Sequence, residues 1–423
     1  MRIVLINPPV PLKNIIVHPP LGLGYIAMIL KQGGHDVKVI DMPILEMDAK
    51  KLVKTLRYFN PDLIGISTMS KTYAESVICT SYCKRNFPNV PIIEGGPHVT
   101  FTAEETLRRN KDVDIVTTYE GEYTMYELAN VIENNKALEN IKGICFRKDG
   151  KIVKMPVREP ITKLDNLPYP DRKIYPIKKY LKRDDETTII GARGCPFRCK
   201  FCSTTRMGRY LRLRSIENII EELNHVLSFG FKSIFFSEDT FNFSEKRVNS
   251  FCDAIIKENL DFRWTCNFRL DLASKTMLEK MKKAGCYRVF VGIETSSGMI
   301  LNNIDKKIDR EKIYKTCKKI QSTGIEIHAS FAFGMPGETT ETIKESVKFA
   351  KQLRPDMISF NILTPYPGTE LYEHPKKYGI VMPDLFWYEN RDWVNVPIAG
   401  TESITPEKLE KLVKLSYIEY CSS

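Results

Sequence analysis

The chain has 423 residues, 43% of them apolar, and a formal net charge of +11. That length supports two or three domains with real cores, and the apolar share is ordinary for a globular protein. No apolar run reaches the roughly 18 residues of a membrane-spanning helix, so none is expected. The opening MRIVLINPPV is strand-like and is not a charged leader before a long apolar stretch, so no secretory signal is expected. Eleven cysteines, an odd number, then read as reduced thiols of a cytoplasmic protein. The positive charge reads first as a Lys-rich solvated surface. No basic block interleaved with aromatics stands out, and no stable nucleic-acid binding is expected.

In chain order, RIVLINP is a continuous apolar run suited to a strand buried on both faces. LGLGYIAMILKQGG (21–34) has helical spacing and stops at paired glycines. Strands follow at 36–42, 63–68, 91–96 and 114–122, each after a helical stretch. Five strand–helix repeats predict an α/β fold, a Rossmann-like parallel sheet over residues 1–145. ICFRKDGKIVKM (144–155) reads as a hairpin turning at Asp149-Gly150. Residues 146–186 are this hairpin and a linker, with the proline-rich LPYPDRKIYP poor in periodicity.

A second alternation begins at TTIIGAR (187–193). It continues through strands at 233–239, 262–269, 288–294, 325–334 and 357–365. Six βα units over 187–365 predict a partial (β/α)6 TIM-type barrel, since eight close the ring. Residues 366–423 form a small helical region on the substrate side, ending in TPEKLEKLVKLSYIEY with a Thr405 N-cap.

Directly after the first barrel strand stands GARGCPFRCKFCST, with Cys195, Cys199 and Cys202 spaced C-x3-C-x2-C. The carboxyl ends of barrel strands carry the chemistry. A four-iron cluster has four corners, and three thiolates leave one corner free. Zinc is the competing reading and needs a fourth ligand. His225 lies on the following helix, and His18 and His98 lie in the first domain.

The loop, with Phe201 before its last cysteine, resembles the radical S-adenosylmethionine (SAM) superfamily. The resemblance implies that Cys195, Cys199 and Cys202 hold a [4Fe–4S] cluster. Its open iron would chelate the amino and carboxylate groups of SAM, and one electron would cleave the sulfonium to a 5′-deoxyadenosyl radical. It further implies SAM contacts at Phe201, Glu238, Asp239, Glu294, Gly334 and Gly337. Glu238 and Asp239 belong to Ser237-Glu238-Asp239, which stands where the superfamily often has Gly-Gly-Glu. Glu294 ends VGIE, and its alternative reading is a strand-end salt bridge. Gly334 and Gly337, in FGMPGET, read equally as turn glycines. NILTPYPGTELY matches the family's sixth-strand exit.

The first domain lacks a G-x-G-x-x-G turn, which argues against a dinucleotide. Its ordered set NPP, PPLGLGYIA, GHDVKVID, PDLIGIS, GGPHVTF and EGE resembles the cobalamin-binding domain fused ahead of radical SAM barrels. That resemblance implies a corrinoid across the carboxyl edge of the sheet. Its contacts would be Asn7, Pro9, Leu21, Gly22, Ser67, Thr68, Met69, Lys71, Tyr73, Gly95, Gly96, His98, Glu120 and Gly121. Asp-x-His-x-x-Gly is absent, so no histidine ligand to cobalt is expected, and residues 68–73 should cover the lower corrin face. His98 reads first as a loop residue capping backbone. Cys79 and Cys83, one helical turn apart, read as core packing. The remaining six cysteines read as small buried hydrophobes.

Together the two resemblances imply a cobalamin-dependent radical SAM enzyme. The leading expectation is a C-methyltransferase moving a methyl group from methylcobalamin to an unactivated carbon. A low-potential electron donor of the ferredoxin or flavodoxin type is implied. Three rivals stand beside it: a B12-dependent cyclase or ring-rearranging enzyme, a tRNA methylthiotransferase-like enzyme, and a non-catalytic corrinoid-binding protein. The second expects three widely separated first-domain cysteines, and Cys79, Cys83 and Cys145 have the wrong separation. The substrate class stays open among small molecule, lipid, peptide and protein side chain. The aromatics of DLFWYENRDWVNVP (384–397), beside Arg391, read first as packing.

Overall fold

The computed structural model describes residues 1–11, 17–208 and 210–422. Residues 12–16, inside the stretch between NPP and PPLGLGYIA, lie outside them. The chain divides into two compact units. One is Met1–Asp185 with Tyr388–Val394, and the other is Glu186–Trp387 with the stretch from Asn395 onward.

The first unit holds strands β1 (Arg2–Asn7), β2 (Asp36–Asp41), β3 (Leu63–Ser67), β4 (Ile92–Gly95), β5 (Ile115–Thr117), β6 (Ile144–Lys148) and β7 (Lys151–Lys154). They form one sheet in the order β2-β1-β3-β4-β5-β6-β7. The first five are mutually parallel, and β6 and β7 are antiparallel. Ile3, Val4, Leu5 and Ile6 are all buried, as expected where helices cover both sheet faces. Val4, Ile6, Ile40, Leu52 and Ile64 pack with Cys79 and Cys83 in one core cluster, so these two thiols are packing groups. Asp149 and Gly150 both have positive φ (51° and 76°), as a two-residue type I′ hairpin turn requires. The strand order reverses between β1 and β3. The crevice at their carboxyl ends is where such sheets bind ligands.

The proline-rich stretch after β7 packs on this unit. Ile161, Leu164 and Leu167 share a cluster with Tyr25 and Ile29. The Tyr175 hydroxyl donates to Pro20 O at 3.0 Å. Helix Ile177–Arg183 carries Tyr180, whose hydroxyl donates to Asp41. These apolar residues lack strand or helix spacing, so periodicity did not register them as core.

The second unit holds β8 (Glu186–Ile189), β9 (Ala192–Arg193), β10 (Arg212–Leu213), β11 (Ser233–Phe236), β12 (Arg263–Phe268), β13 (Cys286–Glu294), β14 (Glu326–Phe333) and β15 (Met357–Ile362). Strands β8, β11, β12, β13, β14 and β15 pair in sequence order, all parallel, in one open six-stranded sheet. β9 and β10 form a separate antiparallel ladder. The intervening helices begin at hydrogen-bonded caps: Ser215, Ser244, Ser274 and Asp309 each accept a backbone N–H of the first turn. The open edge at β15 is met by the C-terminal helix Pro406–Cys421, where Tyr417 Oη accepts the Phe360 N–H at 2.9 Å.

Candidate functional site

In the second unit the chain leaves β8, forms the β9–β10 ladder and carries the cysteines in the excursion between. Cys195, Cys199 and Cys202 are all free thiols. They line one cavity of about 440 Å³ at the carboxyl ends of the strands. Cys199 is buried, and Cys195 Sγ lies 3.6 Å from Thr240 Oγ1. Burial pushes the Cys199 thiol up, while Lys306 and Arg269 pull it down. Among the described residues no three His, Cys, Asp or Glu side chains are arranged to hold a single metal ion. A zinc site needs such convergence. An iron–sulfur cube places its thiolates on separate irons, and three thiols spread around one cavity fit it.

Phe201, Asp239 and Glu294 line the same cavity. Asp239 Oδ1 accepts from Thr204 Oγ1 at 3.1 Å. Glu294 has a left-handed φ of 65°, at a register shift where Gly292 pairs Ser330 and Glu294 pairs Phe331. The bulge re-aims its carboxylate, which accepts from Lys306 Nζ at 2.6 Å. Glu238 is not among the cavity residues. It is buried beneath the strand ends and accepts the Gly191 N–H at 2.6 Å. Gly334 and Gly337 also lie off the cavity, closest to Leu409 and Asn303 respectively.

The cavity brings in residues that sequence reading passed over. Arg269 lies over the Phe197 ring, 3.4 Å from its centroid, and donates to Lys306 O at 3.1 Å. Asn267, the penultimate residue of β12, donates its amide to Glu238 O at 2.9 Å. Phe290, His328, Ser330 and Ser359 line the inner wall, with His328 Nε2 2.6 Å from Ser359 Oγ. Period-two alternation of half-buried with buried residues in β14 was the signal for His328 and Ser330.

In the first unit the expected corrinoid contacts gather at the carboxyl edge. Asn7 ends β1, and its amide donates to Asp41 Oδ1 at 2.7 Å. Pro9 lines a groove of about 470 Å³ with Met42, Ile78, Cys79 and Tyr82. Leu21 and Gly22 open the first helix, and a Cβ at Gly22 would meet nothing within 4 Å. Ser67 and Gly95 end β3 and β4, and Thr68 N–H donates to Gly95 O at 2.7 Å. Met69 N–H donates to Thr72 Oγ1 at 3.1 Å, and Lys71 is exposed. Tyr73 is buried against His98, ring centroids 4.6 Å apart. Gly96 precedes helix Pro97–Arg109, within which His98 is buried, with Nδ1 3.0 Å from Ser70 Oγ. Burial pushes the His98 imidazole down to about 3, so it stays neutral. Glu120 Oε2 accepts the Ile161 N–H at 2.7 Å, and Gly121 abuts Ile26. The groove, lined by Met42, Met47 and Ile78 together with Asp48, Lys50 and Glu75, offers both apolar and polar surface, which fits a corrinoid with its flat ring and amide side chains.

Of the aromatic stretch, Tyr388–Val394 belongs to this unit. Tyr388 packs against Tyr73 and His98, and Arg391 Nε donates to Glu75 Oε1 at 2.7 Å.

Beneath this edge Glu94 is fully buried, accepting from Thr80 Oγ1 at 2.9 Å and Thr68 Oγ1 at 3.4 Å. Burial pushes its carboxyl up to about 7, and the two hydroxyls pull it back only in part. A folded-state value above the unfolded one means that ionisation opposes folding. This contribution is therefore lost as pH rises from about 4.5 to beyond 7. Glu94→Gln should match the wild type near pH 5 and exceed it near pH 8 by on the order of 1–3 kcal/mol. Melting curves at both pH values check this, and an equal difference at both refutes it.

An open parallel (β/α)6 sheet whose first strand runs into a three-thiol loop is the architecture of a radical SAM enzyme. The Radical SAM superfamily model matches residues 189–350, and the B12 binding domain model matches residues 16–129. A Pyrococcus horikoshii protein described as an uncharacterized methyltransferase is 34% identical over 99% of this chain and 92% of its own length. The anaerobic magnesium-protoporphyrin IX monomethyl ester cyclase of Rubrivivax gelatinosus is 28% identical, over 86% of this chain and 69% of its own. The fold is shared with two solved structures. One is the methyltransferase TsrM from Kitasatospora setae, with cobalamin and a [4Fe–4S] cluster bound (TM-score 0.76, 18% identity, 90% of this chain, 76% of that one). The other is OxsB with aqua-cobalamin and SAM (TM-score 0.80, 19% identity, 99% of this chain, 66% of that one). This chain belongs to the cobalamin-dependent radical SAM methyltransferase family. It is an enzyme, and its cofactors are a [4Fe–4S] cluster, SAM and cobalamin. Such an enzyme needs a reductant. No helix among the described residues is long and apolar enough to cross a membrane.

Proposed function

We propose that this chain methylates an unactivated carbon, with Cys195, Cys199 and Cys202 as its cluster ligands. The observation that carries the site assignment is three free thiols from one loop around one cavity. When bound, the cluster and SAM supply a hydrogen-abstracting radical, and the corrinoid supplies the methyl group.

The chain's own part is positioning and charge. Asp239 and Glu294 offer carboxylates to the SAM amino group. Lys306 fixes Glu294, and Arg269 adds a cation beside Cys199. Phe201 and Phe290 wall the cavity with apolar surface. Such walls limit water at a reactive intermediate. Asn7, Gly95, Gly96 and the loop from Thr68 to Tyr73 form the corrinoid platform. His98 is buried and neutral, and serves that loop through Ser70 and Tyr73. The electron donor is of the low-potential ferredoxin or flavodoxin type, and the setting is a reducing cytoplasm. Glu238, Gly334 and Gly337 are structural neighbours of the site in this reading.

Anaerobically reconstituted protein should hold about four irons and one corrinoid per chain. With SAM labelled in its methyl group, product should carry the label. Label-free product would favour the cyclase reading, to which the similarity with the Rubrivivax enzyme points. Protein holding neither iron nor corrinoid would end the proposal.

A further inference from the structure

The root of the cysteine loop is held by a clamp on the side away from the cavity. Asp239 follows Glu238 and lines the cavity, whereas Glu238 lies among Ile216, Ile219, Phe236, Phe251 and Arg247. Its Oε1 accepts the Gly191 N–H at 2.6 Å. The carbonyl of the same glycine accepts from Arg214 N–H at 3.0 Å and from Arg247 Nη2 at 3.3 Å. Arg247 Nη2 also donates to Arg214 O at 2.7 Å, and Arg214 Nη1 donates to Ile190 O at 2.9 Å. One residue, Gly191, is thus gripped through both of its backbone polar groups, in the two successive peptides that meet at its Cα. It stands at the foot of the β9–β10 ladder, from which the whole cysteine excursion hangs.

The grip needs a bare backbone. A Cβ at Gly191 would sit 2.7 Å from Glu238 Oε1 and 2.7 Å from Ile219 Cδ1. Glu238 Oε2 is buried and has no hydrogen-bond partner. A half-satisfied buried carboxyl is costly, so general stability does not account for it. A carboxyl placed here is also on the wrong face to meet a ligand in the cavity.

We infer that Glu238 is a positioning residue for the cluster loop, acting with Arg247 on the two peptides flanking Gly191, and sets cluster retention rather than SAM affinity. This rests on the reading of Cys195, Cys199 and Cys202 as cluster ligands.

The test uses full-length protein reconstituted anaerobically as wild type, Glu238→Gln, Glu238→Ala and Arg247→Met. Two quantities are read: the rate of iron loss to a chelator, and the SAM dissociation constant per intact cluster, from the change SAM causes in the EPR signal. Glu238→Gln keeps an acceptor for the Gly191 N–H and should retain iron like the wild type. Glu238→Ala and Arg247→Met should lose iron about tenfold faster, the loss expected from one charge-assisted hydrogen bond. All should bind SAM within about threefold of the wild type, since none touches the cavity. Normal iron retention with SAM affinity down tenfold in either Glu238 variant would make Glu238 a SAM ligand and overturn the inference. Unchanged iron loss in both Glu238→Ala and Arg247→Met would also overturn it. If Glu238→Ala does not fold, Arg247→Met carries the same comparison. A wild type that takes up no cluster would instead refute the cysteine assignment itself, and this inference with it.

Discussion

Cys199→Ala is expected to abolish iron–sulfur absorbance and reduce 5′-deoxyadenosine formation from SAM to background, with corrinoid binding unchanged. Cys195→Ala, Cys202→Ala and the triple variant should behave alike. The three thiols come from one short loop and face one cavity, and in the proposed reading each would serve a different corner of a four-iron cube. Removing one leaves two protein ligands and two bare irons, and the chelate is lost. Cys199 is the most enclosed of the three. Truncating its small side chain leaves the sheet and its caps untouched, so far-UV circular dichroism should not change. Cys79→Ala is the internal contrast. That thiol is packed among Val4, Ile6, Leu52 and Leu56, in the other unit. Its loss should cost about 1–2 kcal/mol of stability by leaving a small cavity, with iron content unaffected. Iron analysis and product chromatography on the five variants separate these outcomes. SAM cleavage surviving in Cys199→Ala would refute the ligand assignment.

Gly96→Ala should weaken corrinoid binding by about 100-fold and leave the iron content as in the wild type. Gly96 has φ 116° and ψ 178°, a region open essentially to glycine alone. An added Cβ would lie 2.7 Å from Thr68 O and 3.0 Å from Thr68 N. Both are backbone atoms, which cannot rotate away as a side chain would. Thr68 is itself pinned, its N–H on Gly95 O at 2.7 Å and its carbonyl accepting His98 N–H at 3.2 Å. Relief must therefore push the ends of β3 and β4 apart, displacing the loop proposed to face the corrin. Strain of this kind costs about 1–3 kcal/mol, and about 2.7 kcal/mol corresponds to a hundredfold. Spectrophotometric titration with hydroxocobalamin measures the change. Affinity within about threefold of the wild type would remove Gly96 and its loop from the corrinoid platform.

The three-thiol loop was legible because ligands that act together from one loop must lie close along the chain. Three ligands on one loop must recur within a few residues, and C-x3-C-x2-C does so. The sheets were legible for a related reason. Strands such as Ile3–Ile6 are apolar throughout because helices cover both faces, and the pattern is local. The side of the strand end to which Glu238 turns was not legible. Glu238 and Asp239 are adjacent acids, and only pleating decides which one enters the cavity. Arg269 and Lys306 escaped notice because one follows the end of β12 and the other follows the short helix Gly298–Asn303, and they meet at a hydrogen bond that no spacing encodes. Tyr180 reached Asp41 in the same way, from a proline-rich stretch without periodicity.

The sequence by itself determined two parallel α/β sheets, a type I′ hairpin and a three-thiol loop at the end of a strand. Each depends on residues close enough along the chain to leave a period or a motif. Only the tertiary structure decided which acid faces the cavity, how the backbone at Gly191 is gripped, and that His98 is buried and neutral. Those outcomes depend on burial and on hydrogen bonds between residues tens of positions apart, set only once the strands are in register.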